Sequence, residues 1–292
     1  MEIISVVMTT YNGEKYIKEQ IYSILNQSLP PNEIIISDDG SQDNTVKIMH
    51  DLLDVFNNIN ISIIENKITQ GYIKNFRNTI LKSHGDYIFL CDQDDIWEID
   101  KIQNTLIRMK DTGAGIACTG FKLIDAMGNY ISNLSQYKSS PICGYEKWSR
   151  NVKEISLKVL IWGNFSPGCT YCFTKEIKNI YKNLTNTEIS HDFQLLMIGA
   201  SLNKAIYIDI PLSRYRLHEN NTIGMNKKKA KYKRRWQPRL VNFLNELSKI
   251  QTVDHLLYSK VILYFRLSKI RAILIYKFSL NNDARNRLKL LL

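Results

Sequence analysis

Over its first hundred residues the chain alternates short apolar runs with stretches of helical period, and this alternation restricts the fold more than any other feature. "IISVVM" (Ile3–Met8), "EIIIS" (Glu33–Ser37), "ISIIE" (Ile61–Glu65) and "YIFLC" (Tyr87–Cys91) are short and rich in β-branched and aromatic residues, the pattern of buried strands. Between them, "YIKEQIYSILNQ" sets Ile17, Ile21, Ile24 and Leu25 on one helical face, and "TVKIMHDLLDVF" and "IKNFRNTILKS" repeat that spacing. Strands alternating with helices form βαβ units, so the prediction is an α/β fold with a mostly parallel sheet flanked by helices. In such sheets ligands gather beyond the carboxyl ends of the strands. The polar segments "TTYN", "SDDGS" and "CDQDD" are therefore expected along one rim.

The rest of the chain is less regular. "GIACTGFKLID" (Gly115–Asp125) reads as a strand, "CTYCFTKEI" as a strand running into a helix, and "HDFQLLMIGASL" (His191–Leu202) as a helix. "AIYIDIPLSRYRLHENNTIG" reads as a strand, a turn at Pro211, and a second strand ending in a polar loop. Charge then divides the chain. Of 39 Lys/Arg and 28 Asp/Glu, residues 225–292 hold 17 and 3, which leaves 22 and 25 for the body. A near-neutral body over 1–224 thus carries a strongly basic, amphipathic helical tail over 225–292, the boundary falling at "GMNKKKAKYKRRW". The N-terminal "MEIISVVMTT" lacks the basic start of a signal peptide. No apolar run reaches the roughly 18–20 residues of a membrane span. Five cysteines, with Cys91 and Cys118 in strand-like runs, suit a reducing cytosol. Cys169 and Cys172 form the only Cys-x-x-Cys, with no second pair to complete a zinc site.

At the end of "YIFLC" stand Asp92, Asp94 and Asp95. On an extended chain alternate side chains share a side, so Asp92 and Asp94 can converge while Gln93 turns away. Hard oxygen ligands on a rim suit Mg²⁺ or Mn²⁺, whereas a solvated acidic turn with Asp95 capping a helix near Trp97 explains the same letters without a metal. Thr9, Thr10, Tyr11 and Asn12 end the first strand with small polar groups and an aromatic face; Asp38 and Asp39 end the second, where a carboxylate can accept the N3–H of a pyrimidine.

In this order and spacing, "SVVMTTYNGEKYIKEQIYSILNQSLPPNEIIISDDGSQDNT", "GDYIFLCDQDDIW", "SHDFQLLM" and "YRLHENNT" resemble glycosyltransferase family 2, the inverting nucleotide-sugar transferases of GT-A fold, over roughly residues 1–224. The resemblance implies that Thr9, Tyr11 and Asp39 hold the donor's pyrimidine and ribose and that Asp92 reaches the ribose. Asp94 would coordinate Mn²⁺ or Mg²⁺ bridging the diphosphate, with His218 joining the metal or the diphosphate and Arg77 adding positive charge nearby. Asp192 in "SHDF" matches the family's base, at a helix start that favours a carboxylate. Trp162, Gly168, Cys169 and Thr170 would border the acceptor. His191 is expected to orient or pack; His50, His84 and His255 receive no role.

"PGCT", "DQDDIW", the "HD" pair and "YR-x-H-x-NNT-x-G" look like the rhamnosyltransferase-like branch, which implies dTDP-β-L-rhamnose as donor and an α-L-rhamnosyl product. UDP-galactose or UDP-N-acetylglucosamine stays open, because uracil and thymine present the same N3–H edge. "KKKAKYKRRW" and "VILYFRLSKIRAILIYKF" mix basic and apolar residues, as in segments that lie on an anionic membrane face. That predicts a cytoplasmic protein, peripheral at the inner face of the plasma membrane, with a glycan or polyprenyl-linked acceptor. The tail could instead bind nucleic acid through Tyr232 and Trp236, but the near-neutral body offers no basic cleft, and no nucleic-acid partner is expected.

Overall fold

A computed structural model describes residues 2–53, 59–131, 152–160, 164, 166–185, 188–219, 221 and 242–249. The first half follows the expected alternation: β1 (Ile4–Thr10), α1 (Ile17–Leu25), β2 (Glu33–Asp38), α2 (Thr45–Leu53), β3 (Asn60–Glu65), α3 (Tyr72–Lys82) and β4 (Tyr87–Cys91). There follow β5 (Ile96–Trp97), α4 (Lys101–Thr112), β6 (Ile116–Ile124), β7 (Val152–Glu154) and the short α5 (Leu157–Leu160). A 3-10 turn (Gly168–Thr170) leads into β8 (Tyr171–Thr174), α6 (Lys175–Lys182), α7 (His191–Ser201) and β9 (Ala205–Arg216).

One sheet runs β3-β2-β1-β4-β8-β6-β9-β5, with β7 also on β9. The first four strands are parallel, as predicted. Beyond them β8 lies antiparallel between β4 and β6, and β5 and β7 pair antiparallel with β9, so the second half of the sheet is mixed. Side-chain alternation splits the core into two layers. Val6, Met8, Ile34, Ile36 and Phe89 face α1, α2 and α4, while Val7, Ile88, Leu90 and Cys118 face α3, α6 and α7. Strands buried on both faces read as continuous apolar runs, which is why the sequence pattern was legible there.

Two local expectations are corrected. Pro211 is not a turn: β9 is one strand, and Pro211 sits where the β6 register slips around Gly120. A bulge is where a residue without an N–H is tolerated, and Gly120 is needed because a Cβ there would lie 2.9 Å from the Ile210 carbonyl. Asp95 does not cap a helix at Trp97, because Ile96 and Trp97 form β5 against Arg214 and Ser213 and α4 begins only at Lys101.

The tail expected over 225–292 lies outside the described residues except for 242–249, of which 242–248 are helical. Phe243, Leu244 and Leu247 are buried in the same core layer as α6 and α7, and Glu246 accepts hydrogen bonds from the main chain and hydroxyl of Thr185. The hydrophobic core therefore continues past position 224. Among the described residues no helix is long and apolar enough to cross a membrane.

Candidate active site

Strand register builds the rim. Thr10 pairs with Asp38 and Met8 with Cys91, so Tyr11 leaves its strand level with Asp39, while Asp92 leaves β4 level with Thr9. The loops are then stitched together. Asp38 accepts from Thr10 Oγ1 and from the main chain of Gly40 and Ser41, which makes it a structural carboxylate. Gln93 pairs both ends of its amide with the main chain of Tyr11, at 2.8 and 3.0 Å, so the residue expected to turn away clamps β1 to the aspartate loop. This leaves the Tyr11 ring 49% exposed at the rim. Thr9 is partly buried beside it. Asp39 accepts the N–H groups of Gln70 and Gly71, at 2.8 Å each, one on each oxygen. A carboxylate has about four acceptor positions, so two remain for a ligand.

The three clustered carboxylates are not equivalent. Asp94 Oδ2 lies 2.7 Å from His218 Nε2 and 3.3 Å from Asn221 Nδ2, joining the end of β4 to the segment after β9. Asp95 points inward: Oδ1 accepts the main-chain N–H of Arg216 at 3.0 Å, and Oδ2 is buried without a hydrogen-bond partner. Asp92, Asp95 and the Cys169 thiol place their polar atoms within 4.8 Å of one another. Burial, then Asp94, pushes the Asp95 carboxyl up to about 7. Burial, then Asp95, Asp94 and Asp192, pushes Asp92 well above the carboxylate range. Such a cluster favours a cation. Carboxylate oxygens and an imidazole are donors that suit Mn²⁺ or Mg²⁺, and two such sets are present: Asp94 with His218, and Asp92 with Asp95, whose third neighbour is the softer Cys169 thiol.

Two residues that sequence reasoning missed hold this cluster. Arg216, buried, donates from Nε to the Asp94 carbonyl at 2.8 Å and from Nη2 to Glu19 at 2.6 Å, with its guanidinium over the Tyr16 ring. Lys101, fully buried at the start of α4, donates to the Cys169 carbonyl at 2.8 Å and to Ser213 Oγ at 2.6 Å, and its ammonium lies within electrostatic reach of Asp95. Neither could be found from local pattern, since Lys101 reads as one more helix-surface lysine.

Opposite the rim stands Asp192, in the first turn of α7. Its Oδ1 accepts the N–H of Phe193 and its Oδ2 the amide of Asn164, both at 2.8 Å. The 3-10 turn bridges the two sides: Cys169 belongs to the rim cluster, and a Cβ on Gly168 would fall 2.9 Å from Asp192 Cβ. His191 packs on Phe76 at 4.1 Å, and burial pulls its imidazole down to about 4, so it packs as a neutral ring.

Other expectations fare differently. Arg77 is not at the rim: its guanidinium donates to the carbonyls of Tyr181, Lys182 and Leu184 and lies over the Tyr181 ring. Helix ends leave carbonyls without intrahelical partners, and the cation satisfies those of α6, so Arg77 leaves the donor-binding set. Cys169 and Thr170, expected to border the acceptor, are both buried, with Thr170 bonding to Ser166. Gly168 is the partly exposed member of that turn. Trp162 lies outside the described residues.

Residues 5–176 match the family described as Glycosyl transferase family 2. The chain is 36% identical over 263 residues, 83% of each chain, to the dTDP-rhamnosyl transferase RfbG of Shigella flexneri. Its fold is similar to that of S. aureus TarS (residues 1–349) in complex with UDP-GlcNAc, at TM-score 0.60 and 17% identity, covering 84% of this chain and 66% of that one. It is also similar to the mannosyltransferase PcManGT of Pyrobaculum calidifontis in complex with GDP-Man and Mn²⁺, at TM-score 0.57 and 12% identity, covering 99% and 84%. The chain belongs to glycosyl transferase family 2: it is a glycosyltransferase built on the GT-A fold.

Proposed function

We propose that this enzyme transfers L-rhamnose from dTDP-β-L-rhamnose, with inversion, to a hydroxyl of a lipid-linked or oligosaccharide acceptor in bacterial surface polysaccharide synthesis. The observation that carries the reaction is Asp192, held by Asn164 and facing the rim cluster across the Gly168–Cys169 turn. The donor is supported by the likeness to the Shigella flexneri dTDP-rhamnosyl transferase. A UDP-sugar is the second reading, favoured by the UDP-GlcNAc complex of TarS.

In this reading the acceptor hydroxyl attacks the anomeric carbon from the face opposite the diphosphate. Asp192 takes its proton, and the carbon–oxygen bond to the diphosphate breaks with the electron pair leaving on oxygen. Attack on a β-linked donor yields an α-glycoside. Tyr11 stacks on the pyrimidine, Asp39 accepts its N3–H through a free lone pair, and Thr9 and Asp92 hold the ribose side. Asp94 and His218 would hold a divalent ion, which when bound would supply Lewis-acid stabilisation of the departing diphosphate. The basic residues of 225–292 would favour an anionic membrane surface, where a polyprenyl-linked acceptor is presented.

A panel of dTDP-, UDP- and GDP-sugars, with and without Mn²⁺ or Mg²⁺, tests the donor site by thermal shift. A ligand at a hundred times its Kd stabilises by about 2.7 kcal/mol, a shift of several degrees. dTDP-rhamnose with metal is expected to give the largest shift, and Asp94→Asn to remove the metal-dependent part. If no pyrimidine nucleotide moves the melting point with metal present, the donor assignment fails. Gly168→Ala is a second test. The new methyl forces the turn or the carboxylate to move, and displacement by even an ångström costs on the order of 10²-fold in rate. Donor-induced stabilisation should persist; a kcat within two-fold of wild type would show that the approach is not needed.

A further inference from the structure

The amide of Asn164 is the group that sets where Asp192 points. A carboxylate only accepts hydrogen bonds, so the end of the Asn164 side chain that faces it must be the NH₂. Nδ2 donates to Asp192 Oδ2 at 2.8 Å. The other end is fixed as well: the Tyr171 hydroxyl donates to Asn164 Oδ1 at 2.7 Å, with the Ser166 carbonyl a longer second acceptor at 3.1 Å, and the Ser166 N–H approaches the Asn164 oxygen at 3.4 Å. Tyr171 is fully buried in β8, and burial pushes its phenol well above the usual range, so it remains a donor. The order Tyr171 to Asn164 to Asp192 has one consistent direction of donation, from a core strand to the carboxylate. Gly168 closes the side that a Cβ would block.

We propose that Asn164, oriented by Tyr171, is the positioning residue of the general base, fixing one oxygen of Asp192 so that the other meets the acceptor hydroxyl. This rests on the reading of Asp192 as that base. Of the two oxygens, Oδ1 is met among the described residues by its own helix's Phe193 N–H, a local contact that moves with the side chain's helix. Asn164 supplies the contact from outside the helix, which is what defines a direction in space.

The surroundings give the pH consequence. The titratable groups facing Asp192 are His191 of its own helix, Tyr171 of β8, Tyr181 of α6 and Asp92 beyond β4. His191 is neutral by burial, the two tyrosines are neutral phenols and burial pushes Asp92 toward its protonated form, so none of the four offers Asp192 a positive charge. Loss of the Asn164 donor therefore removes a hydrogen bond that favours the carboxylate form, with no cation among these groups to replace it. The charged form of the base is then harder to reach, and the acid limb of kcat moves to higher pH.

The test is a pH profile of kcat for Asn164→Ala, Asn164→Asp and Tyr171→Phe in the full chain, beside thermal melts and donor-induced stabilisation. Asn164→Ala should lower kcat about 10- to 100-fold, the value of a hydrogen bond to a charged group, with the donor KM unchanged. Its acid limb should rise by about one pH unit, and that of Asn164→Asp by more, since a second carboxylate replaces the donor. Tyr171→Phe, which frees the amide without removing it, should fall between wild type and Asn164→Ala. A purely structural role would lower kcat and the melting point while leaving the acid limb in place, and that outcome overturns the proposal. Asp192→Asn separates the two readings. If it still transfers, the base assignment falls; if it is inactive while the Asn164 variants keep the wild-type limb, only the positioning role falls.

Discussion

Asp192→Asn is expected to lose about 10²- to 10⁴-fold in kcat while binding donor as the wild type does. The substitution keeps the shape of the side chain and removes its ability to take a proton. It also removes one of two acceptors. Phe193 N–H and Asn164 Nδ2 each meet a separate oxygen in the native site, and an amide offers only one. One donor is left unpaired, at a cost of about 1 kcal/mol in stability. In the proposed reading the donor nucleotide is gripped by Tyr11, Asp39 and Thr9, none of which bonds to Asp192. Rapid-quench or steady-state transfer assays, run beside donor-induced thermal shifts, check both halves. Transfer within a few-fold of wild type would remove Asp192 from the chemistry, and loss of donor binding would mean that it serves the nucleotide instead.

The parallel half of the sheet was legible because β1, β2 and β4 are buried on both faces and the helices carry one apolar face each, so the period itself carries the information. The rim followed, since one register places Tyr11, Asp39 and Asp92 at adjacent strand ends. What the sequence did not reveal were contacts across long separations. Arg77 has the spacing of an exposed helical residue near the rim, yet it turns to the carbonyls at the end of α6. Asp95 looked like a helix cap because the next residues, Ile96 and Trp97, carry no sign that β9 will pair with them. Pro211 reads as a turn in any local scheme, and only the register slip opposite Gly120 makes it a strand residue. Asn164 carries no local signal, because its meaning depends on Asp192 and Tyr171, which come from two other elements.

Lys101 carries the largest expected effect on stability. Its ammonium is fully buried, lies 4.3 Å from the Trp97 ring centre, and donates to a carbonyl on one side of the site and a hydroxyl on the other. Burial pulls its pKa below the usual ammonium range, while the nearby Cys169, Cys91 and Asp95 oppose that pull. Lys101→Met keeps most of the stem's length and its packing on Trp97 but deletes the donors and the charge. The Cys169 carbonyl and the Ser213 hydroxyl then lose a partner each, and Asp95 loses a buried cation within electrostatic reach, its Oδ2 having no hydrogen-bond partner among the described residues. Removing one member of a buried polar set of this kind costs about 3–5 kcal/mol, roughly 5–8 degrees in melting temperature for a chain of this size. The loss should extend to function, because Cys169 precedes Thr170 in the turn that spaces Asp192 from the rim, and that turn is tied down through the Cys169 carbonyl. Thermal melts of Lys101→Met and Lys101→Arg decide the matter. Both should fall, since a guanidinium exceeds the room left around a fully buried amine, and a melting point within two degrees of wild type for the Met variant would show that the carboxylate cluster needs no lysine beneath it.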